Sequence, residues 1–489
     1  MLILFIIVIT FLLLLLDYNK RKYWSRRGIP QSSSLPFFGH FLPVAKLEKG
    51  PAEIYDEGYH YSGSDKPYLG LYEFWRPILL IKDPYLIEKI VVKDMSYFLD
   101  HPRWVFDDKT FVGDSIFNLK GNLWRAMRYQ MTPSFTFKRM KTLFPNLKDS
   151  ITLPSGQEFE AKTLFRTVSF DTILAFFGVK ISNRGEFEKI NRLLNDVSNF
   201  RFYELLIVQF FPTISELFGV RFIKNSTDNF VKDFQQTISS NIGLEFSKLL
   251  QKIKDMKVLK LRSKDLYIDK ENDEIYKIDI TDKLIDGQIG QFLLAGLDVN
   301  ANSLMWLAYE LAQYPDVQRK AREEIRQTMK KHGGEWSYLA VQDMKYIAQC
   351  SHESLRLHPP LPFLFRTCTT TYTVSDGLTI NEGTKVVIPS LSIHMDPKYY
   401  PDPEIFRPER FDPDESFNKY TWLPFGEGPR KCLGMRLAQL LLKTTMSQIL
   451  EKYEISLNEK TKFPVRDDIK SFLGAPLGKI YINLKPVSD

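Results

Sequence analysis

The segment Phe425-Gly426-Glu427-Gly428-Pro429-Arg430-Lys431-Cys432-Leu433-Gly434 constrains this chain more than any other. Glycines and a proline shape a tight loop, and a helical pattern begins just after it at Met435, with Leu437, Leu440, Leu441, Met446 and Leu450 as its apolar positions. A cysteine therefore stands at a helix N-terminus, where unpaired backbone N–H groups and the helix dipole stabilise a thiolate. Gly434 leaves room for something flat and bulky to approach the sulfur. Arg430 offers a fork of donors suited to a carboxylate. A thiolate facing a large planar group that bears carboxylates is what a haem site requires.

The rest of the composition narrows the setting. Length alone, 489 residues, suggests about three domains. Hydrophobic residues make up 44% and charged residues 26%, which excludes a disordered chain, a collagen-like fibre and a multi-span membrane protein. The cysteines number only 3 (Cys350, Cys368 and Cys432), so neither a disulfide framework nor a four-cysteine zinc site is available. A net charge of +7 without a concentrated basic stripe argues against a nucleic-acid partner. Phe 37 and Tyr 23 are plentiful enough to build a large apolar interior.

Residues Met1–Leu16 carry no charge and span roughly 24 Å as a helix, against about 27 Å for the core of an endoplasmic-reticulum bilayer. Tyr18, Tyr23 and Trp24 suit the membrane interface. The basic residues Lys20, Arg21, Lys22, Arg26 and Arg27 follow the apolar run, whereas a cleaved signal peptide carries its basic residues first and a small-residue cleavage site afterwards. Residues 1–17 are thus expected to be an uncleaved transmembrane anchor, with the remainder on the cytoplasmic side. Residues 18–40, basic and then rich in Ser and Pro, read as a stiff linker. Beyond them no second linker, repeat or low-complexity tract appears, so residues 41–489 read as one domain. Long helical patterns (Asp286–Gln313, Met435–Lys452) outnumber short β-like runs (Thr371–Val374, Lys385–Ile388), giving a mainly α fold with small β-sheets. The lysine-dense stretch from Lys248 to Lys283 reads as a solvated helix face leading into a polar loop. Cys350 and Cys368 read as packing residues.

The loop around Cys432 resembles F-x-x-G-x-R-x-C-x-G, the haem-binding signature of the cytochromes P-450. Five fixed residues in ten recur by chance in on the order of one chain in ten thousand. Further segments resemble the family in its own order. Trp124 and Arg128 match the W-x-x-x-R of its C helix, where spacing of four puts both on one helix face. Glu353 and Arg356 match its E-x-x-R, and Pro408–Phe411 its P-E-R-F, which together imply a buried ion triad with Arg410. Tyr23, Trp24, Arg27–Pro30 and Leu357–Pro360 are similar to the animal microsomal type, and most to insect detoxifying enzymes of the group that includes family 6.

The resemblance implies the P-450 fold, with haem b between the I helix and the L helix and Cys432 as its iron ligand. Phe425, Arg430 and Gly434 of the loop join it in cofactor binding. Trp124, Arg128, Arg366 and, as a further candidate, Arg103 would hold the haem carboxylates. The I-helix pattern A-G-x-[DE]-T-[TS] falls on Ala295 and Gly296, small enough to leave room over the haem, and on Asp298 as the acidic member. Val299 departs from the family's threonine, and Asn300 from the residue after it, which puts the proton relay in doubt. By family position the pocket is drawn from Phe98–Phe117, Phe200–Phe222, Pro360–Phe365 and Phe472–Pro476. The function implied is a microsomal monooxygenase that inserts one oxygen atom from O2 into a lipophilic small molecule, with electrons from NADPH through NADPH-cytochrome reductase. Two other readings differ measurably: a non-oxidative isomerase or dehydratase needs no reductase, and a haem protein that only binds a ligand shows no turnover.

Overall fold

The computed structural model describes residues 1–102, 111–152, 156–178, 212–220, 245–262, 275–374, 377–415, 417–469, 471 and 473–487, together with positions 204, 207, 231 and 234. Its longer helices are α1 (Leu2–Arg21), α2 (Gly121–Met131), α3 (Phe137–Ser150), α4 (Ala161–Phe177), α5 (Glu245–Asp255), α6 (Asp282–Gln313), α7 (Pro315–Lys331), α8 (Tyr346–Leu357) and α9 (Met435–Lys452). The strands are short: β1 (Tyr68–Glu73), β2 (Arg76–Ile81), β3 (Glu158–Glu160), β4 (Val258–Arg262), β5 (Ile275–Asp279), β6 (Leu364–Thr367), β7 (Tyr372–Thr373), β8 (Thr379–Ile380), β9 (Lys385–Ile388), β10 (Tyr453–Leu457) and β11 (Tyr481–Pro486). A four-stranded sheet in the order β1-β2-β9-β6 carries Arg366 on its edge strand, opposite Val386. The sequence thus reads correctly as mainly helical with small separate sheets.

The central element is α6. The Thr281 hydroxyl accepts from the Leu284 N–H at 3.1 Å and Asp282 lies in the first turn, a well-formed helix start. Pro315 follows the helix, where the residue before a proline is pushed out of helical geometry. Residues are buried along nearly the whole length of α6, so it runs through the core rather than over it. Beside it, α4 is capped by the Glu160 carboxylate at one end and by left-handed Gly178 at the other.

Residues 1–17 form most of α1, whose apolar part stops at Leu16. No helix among the described residues is long and apolar enough to cross a membrane. The expected linker, residues 18–40, is irregular apart from the end of α1 and one 3-10 turn at Ser25–Arg27, but it is packed against the sheet rather than free. Trp24 is fully buried, with its indole donating to Leu71 O at 3.0 Å. Tyr72 donates to Arg21 O at 2.7 Å, and buried Asp17 accepts from Phe37 N–H at 2.8 Å. The lysine-dense stretch also differs from expectation: α5 leads into a β4–β5 hairpin, because Leu259 is a core residue and alternation along both strands favours pairing.

Glu353, Arg356 and Arg410 are brought together as expected. The fully buried Glu353 carboxylate accepts from Arg356 Nε at 2.7 Å and Nη2 at 2.8 Å, and from Arg410 Nε at 3.1 Å. From there a hydrogen-bonded path leads to the cysteine loop. His394 Nδ1–H donates to Arg356 O at 3.0 Å, and His394 Nε2 accepts from Leu423 N–H at 2.8 Å. Acceptance at Nε2 requires a neutral imidazole, and burial pushes the His394 pKa from 6.5 down to about 3.

A histidine that is neutral when folded but titrates near 6.5 when unfolded makes the unfolded state the stronger proton binder between those values. Stability is then present above pH 6.5 and is lost as pH falls towards 3, by about 1.4 kcal/mol per pH unit from this residue. A His394→Gln variant should be less stable at pH 7 yet lose stability less steeply on acidification. Urea midpoints measured from pH 7.5 to 5 check this, and equal slopes would show that His394 is not the acid-sensitive link.

Candidate active site

The loop before α9 is built around two backbone requirements. Gly426 and Gly428 adopt φ of +64° and +78°, and a Cβ at Gly428 would lie 1.8 Å from Val91 O. Cys432 N–H donates to Phe425 O at 2.8 Å, closing the loop on itself. Cys432 is the exposed cysteine of the three, and what it opens onto is an internal cavity of about 350 Å³. Burial pushes its thiol pKa up, against the pull of the Gly434 and Met435 N–H groups and the Arg128 guanidinium. Cys350 and Cys368 are buried in packing environments, as expected.

Across the cavity lies α6. Ala295, Gly296, Asp298, Val299 and Asn300 all line it, as does Gln291 one turn earlier. Ala295 is open to the cavity, which fits the space expected of it. Gly296 has a second reason to lack a side chain: a Cβ there would sit 2.9 Å from Ile173 of α4. Asp298 is held from behind, its carboxylate Oδ1 lying 3.2 Å from Arg166 Nε in a largely buried ion pair. The Asn300 amide donates to Gly296 O at 2.7 Å and the Ser303 hydroxyl to Val299 O at 2.8 Å. An aromatic wall closes the cavity on one side, where Phe135 and Phe292 stack with centroids 5.6 Å apart and Phe176 lies against both. Phe135, Ile173 and Phe176 were not foreseen. Their helical spacing resembles ordinary core packing, which they also provide.

One edge of the cavity is cationic. Trp124 and Arg128, one turn apart on α2, both line it, as do Arg366, Arg430 and His101. Burial lowers the pKa of Arg128, Arg366 (to about 10) and Arg430, so each guanidinium lies in a poorly solvated place. Arg366 donates to His101 Nε2 and to Phe365 O, with no carboxylate partner among the described residues. Arg430 is anchored differently: it donates to Leu99 O and Leu119 O, both at 2.7 Å, and stacks 4.0 Å over the Trp124 ring. Much of its donor capacity thus binds Leu99, Ile116 and Leu119 to the cysteine loop. Phe425 and Gly434 line the cavity where the loop resemblance puts them. Arg103 lies outside the described residues. His101 was missed because a lone histidine has no spacing signal.

Arg430 has the Asp100 carboxylate at 3.5 Å, but the poorly solvated guanidiniums of Arg128 and Arg366 have none among the described residues and call for an anionic occupant, since an uncompensated buried charge costs several kcal/mol. The nearby thiol calls for a metal, and the apolar walls for a broad hydrocarbon. Among the described residues no three His, Cys, Asp or Glu side chains stand together to hold an ion, so a metal bound at Cys432 must bring its other ligands with it. Iron protoporphyrin, flat, apolar and edged with carboxylates, meets all of these demands. Of the expected pocket segments, Phe117, Pro360, Leu361, Leu364 and Leu473 line the cavity, while most of Phe200–Phe222 lies outside the described residues.

Comparison with known proteins agrees. The sequence model of the family "Cytochrome P450" matches residues 29–482. Cytochrome P450 6k1 of Blattella germanica is 31% identical over 475 residues, spanning 92% of this chain and 90% of its own length. "Probable cytochrome P450 6d5" of Drosophila melanogaster is 31% identical over 468 residues, 90% of each chain. Cytochrome P450 6a2 of the same fly is 29% identical over 513 residues, 99% of each. A match of that extent, on a cavity whose thiol and guanidiniums already call for haem, makes this chain a member of the cytochrome P450 family and a haem-thiolate monooxygenase.

Proposed function

We propose that this chain oxidises lipophilic small molecules at the cytoplasmic face of the endoplasmic reticulum, using electrons from NADPH delivered by NADPH-cytochrome reductase. The cavity carries the reading: one wall bears the thiol, the opposite wall is a helix with Ala295 facing inward, and aromatic and aliphatic side chains enclose the space between. Cys432 would hold haem b, Trp124, Arg128 and Arg366 would bind its carboxylates, and the bound group would supply the redox and oxygen-transfer chemistry. Cys432 contributes an electron-rich ligand. Phe135, Phe176 and Phe292 exclude water from the substrate side. Replacing Cys432 by Ser should abolish the red-shifted Soret band of the reduced, CO-treated protein. Retention of that band in Cys432→Ser would place the ligand elsewhere.

Protons reach the distal side by way of α6. Asp298 is the acidic group there, but its carboxylate is paired with Arg166, so handing on a proton requires the pair to loosen. Valine at 299 has nearly the shape of threonine and cannot hydrogen-bond, so the relay lacks one station. The amide of Asn300 and the hydroxyl of Ser303 are committed to helix carbonyls. The enzyme is therefore an active oxygenase with leaky coupling. Hydrogen peroxide formed per NADPH consumed should be high in the wild type and fall in Val299→Thr with the same substrate. A low yield that the substitution leaves unchanged refutes the relay argument, and turnover that needs no reductase would favour an isomerase or dehydratase instead.

The reductase reading rests on charge. Lys431, Arg436, Arg125, Lys138 and Arg139 belong to the cysteine loop and the helices next to it, and Lys138 and Arg436 are exposed. Opposite charges steer a flavoprotein with an acidic surface onto such a face. Reduction of Lys138→Glu and Arg436→Glu variants by the reductase should slow several-fold at low salt and approach the wild-type rate at high salt. Equal rates at low salt would remove this surface as the docking face. The exposed apolar residues of α1 from Ile7 to Leu16, followed by Lys20, Lys22, Arg26 and Arg27, support attachment to the membrane with the domain on its cytoplasmic side.

A further inference from the structure

His101 follows Asp100 on the segment that Arg430 holds, and it belongs to no motif. Its Nδ1 lies 2.8 Å from Phe117 O. A carbonyl only accepts, so Nδ1 carries the hydrogen. Nε2 is then left with its lone pair, and Arg366 Nη1, which only donates, lies 3.2 Å from it. The ring cannot swing away, because it is buried between Phe117, with centroids 4.5 Å apart, and the edge of Phe365 at 5.5 Å. Among the described residues, Arg366 for its part has only His101 Nε2 and its own neighbour's carbonyl, Phe365 O at 2.7 Å, to fix the direction of its guanidinium. The same Nη1 makes both bonds, so Nε and Nη2 are left to face the cavity edge.

We propose that His101 is a positioning residue for haem binding: its neutral imidazole, tethered to Phe117 O, holds the Arg366 guanidinium in the orientation that receives a haem carboxylate. The proposal rests on the haem assignment of the cavity. It adds a member to the carboxylate-binding edge that acts through another side chain and does not itself touch iron.

The geometry distinguishes among substitutions. A glutamine amide reaches the place of Nε2 and still accepts from Arg366, whereas an asparagine amide reaches only the place of Nδ1. The experiment uses the full chain loaded with haem, and reads the rate of haem transfer to excess apomyoglobin and the midpoint potential of the retained haem. His101→Asn and His101→Phe should lose haem about tenfold faster, the loss expected when one charge-assisted hydrogen bond goes. Their potentials should fall, because a less well-placed guanidinium favours the reduced state less. His101→Gln should stay within about twofold of the wild type. On an Arg366→Leu background, His101→Phe should add little, since the histidine acts through the arginine. Asn and Gln variants that lose haem equally fast overturn the proposal, and so does a His101→Phe effect undiminished by Arg366→Leu. A wild-type chain that takes up no haem would instead refute the cofactor assignment. If His101→Phe fails to fold, the Gln and Asn pair still decides.

Discussion

The buried carboxylate of Glu353 is the constraint on which the site depends. It sits at zero exposure and accepts from Arg356, from Arg410 and from the Arg407 backbone N–H at 3.0 Å. Two cations around one anion leave an excess charge that only further acceptors can satisfy. Arg356 finds them in His394 O at 2.8 Å and Pro403 O at 2.7 Å, and Arg410 in Asp402 O at 2.7 Å. The segment from 394 to 410 must therefore fold around α8 before the charges are compensated. His394, fixed in this way, receives the Leu423 N–H and so sets where the cysteine loop begins. Removing one partner would strand a buried charge at a cost of about 3–5 kcal/mol. The triad takes no part in chemistry, yet the position of the sulfur is conditional on it.

The far end of the loop is held by different means. Arg430 reaches across to the carbonyls of Leu99 and Leu119, and Gly428 lies so close to Val91 that no side chain fits. A guanidinium bound to fixed carbonyls has little conformational freedom left to lose when a cofactor arrives, which is the physical meaning of a prepared site. The Trp124 ring beneath Arg430 adds a desolvated cation–π contact to the same edge. Cys432 is thus placed by two supports, the buried ion triad on one side and, on the other, the Arg430 hydrogen bonds together with the close approach at Gly428.

Where function depends on short-range pattern, the sequence was readable. The loop, the start of α9 at Met435, the i, i+3 pair of Glu353 and Arg356 and the i, i+4 pair of Trp124 and Arg128 are all set by local geometry. Contacts made across long stretches of chain were not readable. His101 meets Arg366 265 residues away, and nothing in its own neighbourhood signals it. Gly296 reads as cofactor space until Ile173 is seen 2.9 Å from where its Cβ would be. Residues 18–40 have the composition of a linker, but Trp24 finds a slot beside β1 that only the folded sheet supplies. The hairpin β4–β5 was obscured by lysines, whose charge masks an alternation that buries Leu259.

The two faces of the cavity differ in how fully their polar groups are committed. On the thiol side Arg128 and Arg366 line the cavity with no carboxylate partner among the described residues, which suits a carboxylate-bearing group. On the α6 side three polar groups are committed elsewhere: Asp298 to Arg166, Asn300 to Gly296 O and Ser303 to Val299 O. Each of these contacts stabilises the helix or its packing on α4, and each reduces what is left to hold water near the reacting centre. A threonine at 299 would add a hydroxyl at an inward position that now carries only methyl groups. The supports of the cysteine loop lie in the ion triad and at Arg430, so a side chain on α6 can change without disturbing how the sulfur is held.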